Sequence, residues 1–174
     1  MFHSKLGDGS RGVEIRYSHE MHALEMAGGI AKALPLLEKD GDATVFAAVS
    51  GDVFCEFDYA RLHERAAKMA LQDEPAMHLV MVPNPPFHTL GDFALAPESK
   101  LSLDGSTCYT FGNIGLYDTR MFRDLAPETR RALTPYYRET IAAGRATGEL
   151  YAGRWENVGT SKQLEELDAA LRGK

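Results

Sequence analysis

The sequence contains few cysteines, a single tryptophan and no excess of basic residues. Its only two cysteines among 174 residues are Cys55 and Cys108. They lie far apart without the spacing of a metal site, so we interpret them as reduced, partly buried thiols. Nineteen Lys and Arg face 25 Asp and Glu, a formal net charge of −6. Because contact with nucleic acid phosphates requires a basic surface, this balance argues against a general nucleic-acid binder.

The sequence also lacks a long hydrophobic run. Its apolar runs are only a few residues long, far below the roughly 20 residues that a membrane helix needs. Charged residues interrupt the first 25 positions, so no signal peptide is expected there. We therefore expect a cytoplasmic protein with no membrane partner. With 44% apolar residues, the chain is expected to form one compact domain, 1–174, without disulfides or structural metals.

The hydrophobic pattern predicts an α/β fold. Near-continuous apolar runs at Thr44–Val49 and Met77–Val82 are typical of buried strands, and a helical stripe from Leu62 to Ala70 separates them. A strand, a helix and a strand in succession indicate an α/β sheet with right-handed crossovers. Further strands are predicted at Val13–Tyr17, Phe93–Leu95, Thr107–Tyr117, Glu149–Ala152 and Trp155–Val158.

Helices are predicted at four further places. A short helix at Ile30–Leu34 should follow Glu25–Gly29 and end near Pro35. Two helices are expected within Pro127–Leu133 and Pro135–Ala143. The last should begin after Thr160, which forms a capping box with Gln163, and should pack through a leucine stripe from Leu164 to Leu171.

Two short patterns resemble known sites but do not fit them. Gly7, Gly9 and Gly12 match the spacing of a dinucleotide fingerprint, but that motif needs a strand before it and a helix after it. Here a strand is predicted to follow, so we interpret the segment as a loop. The pair His19 and His22 lacks the spacing of a zinc protease motif and has no evident third ligand.

Several polar or glycine positions next to predicted strands and helices are candidate binding residues. Gly51-Asp52 follows a buried strand, where ligands bind in open α/β sheets and where an Asp can hold Mg²⁺; the alternative is an ordinary turn. Gly28 and Gly29 at a helix start would allow a flat ligand to approach closely; the alternative is a plain helix entry.

Two loops provide further candidates. Asn84 and Asp92 lie in a loop with three prolines, which cannot form regular structure and would suit recognition of sugar hydroxyls; the alternative is a surface loop with an Asx turn. The segment Trp155–Thr160 places a polar side chain between a strand and a capped helix, and its alternative is again a turn.

The order of these motifs along the chain resembles a known family. The segments L-G-D-G-S-R-G-V-E-I-R-Y-S, E-M-A-G-G-I-A-K-A-L-P-L-L, S-G-D-V, V-P-N-P-P-F-H-x-x-G-D-F-A-L, F-G-N-I-G-L-Y and G-R-W-E-N-V-G-T are similar to those of bacterial sugar-1-phosphate nucleotidyltransferases. The N-acetylmuramate-1-phosphate uridylyltransferase type is the most similar. The resemblance runs from about Leu6 to Leu171, and the asparagine-diproline loop is its most discriminating part.

The resemblance implies a fold and a reaction. The fold would be a Rossmann-like nucleotide-diphospho-sugar transferase domain with a mixed, mostly parallel sheet between helices. The reaction would be attack of a sugar-1-phosphate on the α-phosphate of a nucleoside triphosphate, most simply UTP, with Mg²⁺ neutralising the phosphates and pyrophosphate leaving. Such an enzyme would serve nucleotide-sugar biosynthesis and peptidoglycan recycling.

The resemblance also implies residue roles. Asp52 resembles the catalytic metal-binding aspartate, and Asn157 stands where the family usually has a second metal-binding carboxylate. Gly51 would lie beside the nucleotide, and Gly28 and Gly29 against its base. The positions that resemble sugar contacts are Asn84, Asp92, Asn113 and Glu149.

The sequence departs from the family pattern at its start, where the first strand and the G-x-G-x-R loop that grips the triphosphate are not found. We therefore expect weak or no activity from this chain by itself. We also expect an exposed edge along the Thr44–Val49 strand, and hence low stability or a homodimer through that edge. The rival interpretation is a non-catalytic protein that binds sugar phosphates or nucleotides and acts with a partner chain.

Overall fold

The computed structural model describes residues 9–10, 13–38 and 40–173. Contacts divide the chain into two compact units. The first comprises the chain up to Thr44 together with Thr119–Pro135, and the second comprises Val45–Asp118 with Tyr136 onward. Most of the fingerprint-like glycine segment, including Gly7 and Gly12, lies outside the described residues.

The first unit is built around one helix. Strands β1 (Gly9–Ser10) and β2 (Val13–Glu14) form an antiparallel pair, so the strand predicted at Val13–Tyr17 is shorter than expected. Helix α1 runs over Glu25–Leu37, and a 3-10 turn covers Thr119–Phe122. Ion pairs connect α1 and the residue after it with the 119–135 segment: Lys32 to Glu128, Glu25 to Arg130 and Glu38 to Arg123.

Helix α1 is longer than the sequence predicted. It begins at Glu25 and contains both Gly28 and Gly29, and it continues through Pro35 to Leu37. Its start is held from outside the helix, because the Gly28 N–H donates to the Arg131 carbonyl and the Arg131 N–H donates to the Leu24 carbonyl. These bonds also explain why the helix predicted within Pro127–Leu133 does not form, since that backbone pairs with α1 instead.

The second unit contains a mixed sheet flanked by helices. Its strands are β3 (Val45–Val49), β4 (Val53–Cys55), β5 (Met77–Val82), β6 (Phe93–Leu95), β7 (Leu101–Ser102), β8 (Cys108–Asp118), β9 (Ala146–Leu150) and β10 (Trp155–Asn157). Helix α2 covers Arg61–Ala70, α3 covers Thr134–Ala142, and α4 covers Ser161–Arg172.

The sheet is organised by the long strand β8. It pairs antiparallel with β3, β5 and β6, whereas β9 pairs parallel with β5. Strands β3, β5 and β9 consequently run in the same direction, and β8 runs against them between β3 and β5. Most hydrogen-bonded strand pairs in this sheet are therefore antiparallel, and the expectation of a mostly parallel sheet is wrong in this respect. Within the described residues, β5–β9 is the one parallel pair. Strands β4 and β10 form a separate antiparallel pair.

Strand β3 has one open side. In the part of the chain that the structure describes, it pairs only with β8. Ala47 and Val49 are exposed, and Val49 retains 44% of its accessible surface. A strand covered on both faces was expected here, whereas β5 is buried along its whole length.

Helix α2 covers one face of the sheet. Leu62 and Met69 from this helix pack with Val80, Ile114 and Leu116 from β5 and β8. Asp58 does not cap this helix, which begins only at Arg61; its carboxylate accepts the Ala60 N–H in the preceding turn. On α3, the Tyr137 hydroxyl is 3.1 Å from that of Tyr117.

Helix α4 begins where its capping pair predicts. The Thr160 hydroxyl oxygen accepts the Gln163 N–H. Of the predicted leucine stripe only Leu167 is buried, while Leu164 and Leu171 are exposed. No helix within the described ranges is long and apolar enough to cross a membrane.

Candidate active site

The carboxyl ends of three parallel strands meet at one rim of the sheet. Because β3, β5 and β9 share a direction, the residues after Val49, Val82 and Leu150 lie at the same side. Asp52 follows the first of these ends, Asn84 the second, and the segment leading to Asn157 the third. The sequence prediction that Asp52 and Asn84 follow strand ends is therefore met by the topology, whereas Asn157 is the last residue of β10.

Asp52 is held by its neighbours in the turn after β3. The Ser50 hydroxyl donates to Asp52 Oδ1 at 2.6 Å. The Val158 N–H donates to the Asp52 carbonyl at 2.7 Å. Val53 is the register partner of Asn157 in the β4–β10 pair. Asp52 and Asn157 are thus adjacent across one ladder, although they are 105 positions apart in the chain by their numbers.

Asn157 carries an oxygen without a hydrogen-bond partner. Its Oδ1 is buried, and no group in the described part of the chain donates to it. A buried carbonyl oxygen that accepts no hydrogen bond is unfavourable by about 1–3 kcal/mol unless something else satisfies it. Asn157 also lines a cavity, and because Oδ1 itself is buried, a rotation of the side chain would be needed for a ligand in that cavity to satisfy this oxygen.

The cavity beside Asn157 has a volume of about 510 Å³. The proline loop after β5 forms one wall with Pro85 and Phe87, and Trp155 and Gln163 contribute from β10 and α4. Its size lies within the roughly 300–1,000 Å³ that is usual for small-molecule sites. An apolar and aromatic wall with a few amide and carboxylate groups is the composition expected of such a site.

Asn84 braces the proline loop. Its Nδ2 donates to the carbonyls of Thr89 and Cys108 at 3.1 and 2.9 Å, and its Oδ1 accepts the Thr110 hydroxyl at 2.9 Å. All three bonds tie the loop to itself or to the start of β8. The side chain therefore fixes the shape of a cavity wall, and it does not line the cavity itself.

Asp92 closes the other end of the same loop. Its Oδ2 accepts the Phe111 N–H at 2.8 Å, and its Oδ1 lies 3.1 Å from His88 Nε2. Gly91 precedes it with a φ of +68°, and a Cβ there would lie 2.8 Å from Asn84 Oδ1. Only glycine fits this turn without strain, so Asn84, Gly91 and Asp92 form one bonded loop.

Asn113 lies at an irregularity in β8. The pairing of β5 with β8 shifts register between Leu79 and Met81, and Asn113 has a φ of +57°. Its carbonyl accepts the Ser50 N–H, and the neighbouring Gly112 carbonyl accepts the Trp155 indole N–H. This bulge therefore connects β8 with the Asp52 turn and with the cavity wall.

Glu149, near the end of β9, lies close to the side chains of Arg61 and His78. Arg61 Nη2 lies 2.6 Å from Glu149 Oε2, and His78 Nε2 lies 3.5 Å from Oε1. Glu149 lines a smaller cavity of about 260 Å³ beside α2, and it does not line the larger one. Burial lowers the pKa of His78 to about 4; the charge of Arg65 acts in the same direction, while Glu149 opposes it.

The two glycines of α1 lie in the first unit. A Cβ on Gly28 would overlap the Thr129 carbonyl, and one on Gly29 would lie 2.7 Å from the Glu20 carboxylate. Glu20 also accepts the Leu24 N–H at 3.0 Å. Close packing thus accounts for Gly28, and the Glu20 carboxylate covers Gly29.

The structure therefore brings some predicted residues together and separates others. Asp52 and Asn157 are neighbours, and Asn84 and Asp92 share one loop, but Asp52, Asn84 and Asp92 do not line the cavity that contains Asn157. The sequence analysis did not assign binding roles to Ser50, Phe87 and Gln163, and it gave Gln163 only the capping role. Phe87 and Gln163 line one cavity because the proline loop and α4 both border it.

The donor set at the rim fits Mg²⁺ bound together with a phosphate ligand. Asp52 supplies a carboxylate, and Asn157 supplies a neutral oxygen that has no partner. No group of three or more His, Cys, Asp or Glu among the residues described could hold a metal. Because Mg²⁺ keeps several waters and takes phosphate oxygens as ligands, one carboxylate and one carbonyl suffice.

Sequence comparison places these features among known proteins. A family model described as nucleotidyl transferase matches residues 1–89. The N-acetylmuramate alpha-1-phosphate uridylyltransferase of Neisseria meningitidis serogroup B is 38% identical over 168 residues. That match covers 94% of this chain and 70% of the relative.

Solved structures share the fold at low sequence identity. A candidate glucose-1-phosphate thymidylyltransferase from Bacillus anthracis, crystallised with sucrose, superposes with a TM-score of 0.76 at 19% identity, over 98% of this chain and 71% of that one. HddC from Yersinia pseudotuberculosis, crystallised with GMP-PN, gives a TM-score of 0.62 at 13% identity, over 87% and 64%.

Proposed function

Because this chain belongs to the nucleotidyl transferase family, we propose that it transfers a uridylyl group from UTP to a sugar-1-phosphate, N-acetylmuramate 1-phosphate in particular. The products would be a UDP-sugar and pyrophosphate. The family membership, the fold and the enzyme class predicted from the sequence are confirmed. The choice of base and sugar is supported by the name of the Neisseria relative.

The observation that carries the proposal is the unpartnered Oδ1 of Asn157 beside Asp52. These two residues would hold Mg²⁺, which supplies charge neutralisation for the phosphates when bound. Ser50 orients the Asp52 carboxylate through its hydroxyl. The bond from the Val158 N–H to the Asp52 carbonyl joins the two backbones beside the β4–β10 ladder, which would limit movement of the two side chains before substrate binds.

We place the sugar in the cavity next to Asn157. Trp155 and Phe87 supply aromatic surface, and Gln163 supplies an amide. Asn84 and Asp92 would act by holding the proline loop, while Asn113 stays a proposed sugar contact at the bulge. Glu149 would have to give up its pair with Arg61 to reach a sugar.

The resemblance assigns nucleotide contacts to Gly51 in the second unit and, separately, to the glycines of α1 in the first unit. Gly51 would lie beside the nucleotide because a Cβ there has open space around it. Gly29 would lie against the base if the Glu20 carboxylate moves aside. A cytoplasmic location stays a prediction from the sequence.

The test is the formation of UDP-N-acetylmuramate and pyrophosphate from UTP, N-acetylmuramate 1-phosphate and Mg²⁺, with TTP, GTP and ATP compared in parallel. We expect slow turnover that prefers UTP, because Asn157 lacks the charge of a carboxylate. Turnover should be lost in Asp52→Asn, because no carboxylate then remains among the two proposed metal ligands. Calorimetric binding of the sugar phosphate without turnover, in the wild type and in Asn157→Asp, would favour the non-catalytic rival. Absence of both binding and turnover would reject the proposal.

A further inference from the structure

A second cluster of charged residues lies on α2, apart from the rim of the sheet. Arg61, Arg65 and Lys68 follow one another at spacings of four and three, which places them on one face of the helix. Together with Glu64 and Glu149 they line the cavity of about 260 Å³. None of these residues lines the larger cavity that contains Asn157.

Two of the three cations in this cluster are already paired. Lys68 Nζ lies 2.6 Å from Glu64 Oε1, and Arg61 Nη2 lies 2.6 Å from Glu149 Oε2. The carboxylates of the cavity are thus each matched by one cation. In the described part of the chain, no hydrogen bond or ion pair involves the guanidinium of Arg65.

The chain itself prevents Arg65 from taking one of these partners. Glu149 is paired with Arg61 at Oε2, whereas His78 Nε2 lies 3.5 Å from Oε1 without forming a hydrogen bond. His78 is 99% buried, and its Nδ1 lies 2.8 Å from the Thr147 hydroxyl. The imidazole ring is therefore fixed in position next to the Glu149 carboxylate. Glu149 is therefore paired with Arg61, and the half-buried Arg65 acts on Glu64 through its charge but forms no direct ion pair in the described part of the chain.

We propose that this cavity binds the phosphate group of a small anion, with Arg65 as the principal ligand and Lys68 and Arg61 beside it. A guanidinium donates two parallel hydrogen bonds to an oxyanion, which gives both charge and geometry. The volume of about 260 Å³ is below the roughly 300–1,000 Å³ of usual organic-ligand sites. The cavity therefore suits an ion the size of inorganic phosphate rather than a whole nucleotide.

Titration of the protein with inorganic phosphate tests this site, using calorimetry in a buffer free of phosphate and Mg²⁺. We expect one saturable site in the wild type and at least tenfold weaker binding in Arg65→Gln. The phosphate affinity of Arg65→Lys should lie between those of the wild type and Arg65→Gln. Lysine keeps the positive charge but cannot donate the two parallel hydrogen bonds of a guanidinium. Arg138→Gln is the matched control: Arg138 is an exposed arginine on α3, remote from this cavity's lining, and its loss should leave phosphate binding within twofold.

Three outcomes would overturn the proposal. The wild type could show no saturable binding, or Arg138→Gln could weaken binding as much as Arg65→Gln, which would indicate surface charge alone. Asp52→Asn could abolish phosphate binding, which would assign the ion to the rim. Because Asp52→Asn is also the variant expected to end uridylyl transfer, phosphate binding that persists in it separates this site from the proposed activity.

Discussion

Asn157 is one of the two proposed Mg²⁺ ligands at the rim, and it is the uncharged one. Asn157→Asp would place a second carboxylate next to Asp52, and the added charge should tighten divalent-metal binding about tenfold, because ligand charge sets the affinity for hard cations. Mn²⁺ titration followed by electron paramagnetic resonance measures this.

The control for that substitution is Asn113→Asp. It adds the same charge at the β8 bulge, where Asn113 is not proposed as a metal ligand. Equal tightening in both variants would mean that net charge alone attracts the metal. An unchanged affinity in Asn157→Asp would remove this residue from the proposed metal site.

The lowered pKa of His78 predicts that the stability of the protein depends on pH. Burial lowers its pKa from 6.5 to about 4, so the unfolded chain binds a proton at a higher pH than the folded chain does. The stabilisation is therefore complete above pH 6.5 and is lost as the pH falls toward 4, by up to roughly 3 kcal/mol in the free energy of unfolding. Urea denaturation at pH 7 and at pH 4.5 measures this loss.

The buried position of His78 can also be tested directly. An NMR titration of its ring should give a midpoint near 4, and the exposed His63 provides a second histidine in the same sample. A His78 midpoint near 6.5 would contradict the prediction. In His78→Gln the part of the pH dependence due to this residue should disappear.

Helix α1 illustrates how an element depends on one close contact. Gly28→Ala would drive a Cβ into the Thr129 carbonyl and to within 2.9 Å of Leu24 Cβ. Since backbone cannot move aside as a side chain can, we expect a destabilisation of about 1–3 kcal/mol, measured as a shift of the denaturation midpoint.

The adjacent glycine provides a matched comparison. In Gly29→Ala the new Cβ would meet only the carboxylate of Glu20, whose flexible side chain can rotate away. We expect this variant to stay close to the wild type in stability. If the two variants are destabilised equally, the loss comes from helix geometry in general, and the contact with Thr129 is not the cause.

Among the elements, strands with strong apolar runs were predicted best. β5 and β8 appear within a residue of their predicted bounds. β5 is buried along its whole length and therefore leaves a continuous apolar signal. The helix predicted at Pro127–Leu133 was wrong, since its backbone pairs with Leu24 and Gly28, a hundred positions away in sequence. Such a pairing leaves no periodicity that a local pattern could reveal.

At the scale of the whole molecule, β3 has one side on which no residue in the described ranges pairs with it. Ser50 N–H donates to the Asn113 carbonyl and Thr119 N–H to the Thr44 carbonyl. Because ladder bonds alternate, even-numbered residues bond to β8, and the backbone groups of Val45, Ala47 and Val49 point away from it. Open strand edges pair with other chains, which supports the proposal of a homodimer through this edge.

Proline substitutions test that dimer. Ala47→Pro would remove an outward N–H and should yield a monomer of near wild-type stability, measured by sedimentation velocity. Ala48→Pro would remove a ladder bond to β8 and should instead destabilise the fold. A wild-type monomer whose high melting temperature is independent of concentration would contradict both the dimer and the expected low stability.

The sequence by itself determined the α/β class, the family and the placement of Asp52, Asn84 and Asn157 beside strands, because apolar runs and short motifs are local signals. It could not determine which of these side chains share a cavity. That depended on the β4–β10 pairing, on the bonds that tie Asn84 into its own loop, and on the cavity that the proline loop and α4 both line. Contacts between distant segments decide which polar atoms form hydrogen bonds within the protein and which remain for a ligand. The unpartnered oxygen of Asn157 can therefore be identified only from the tertiary structure.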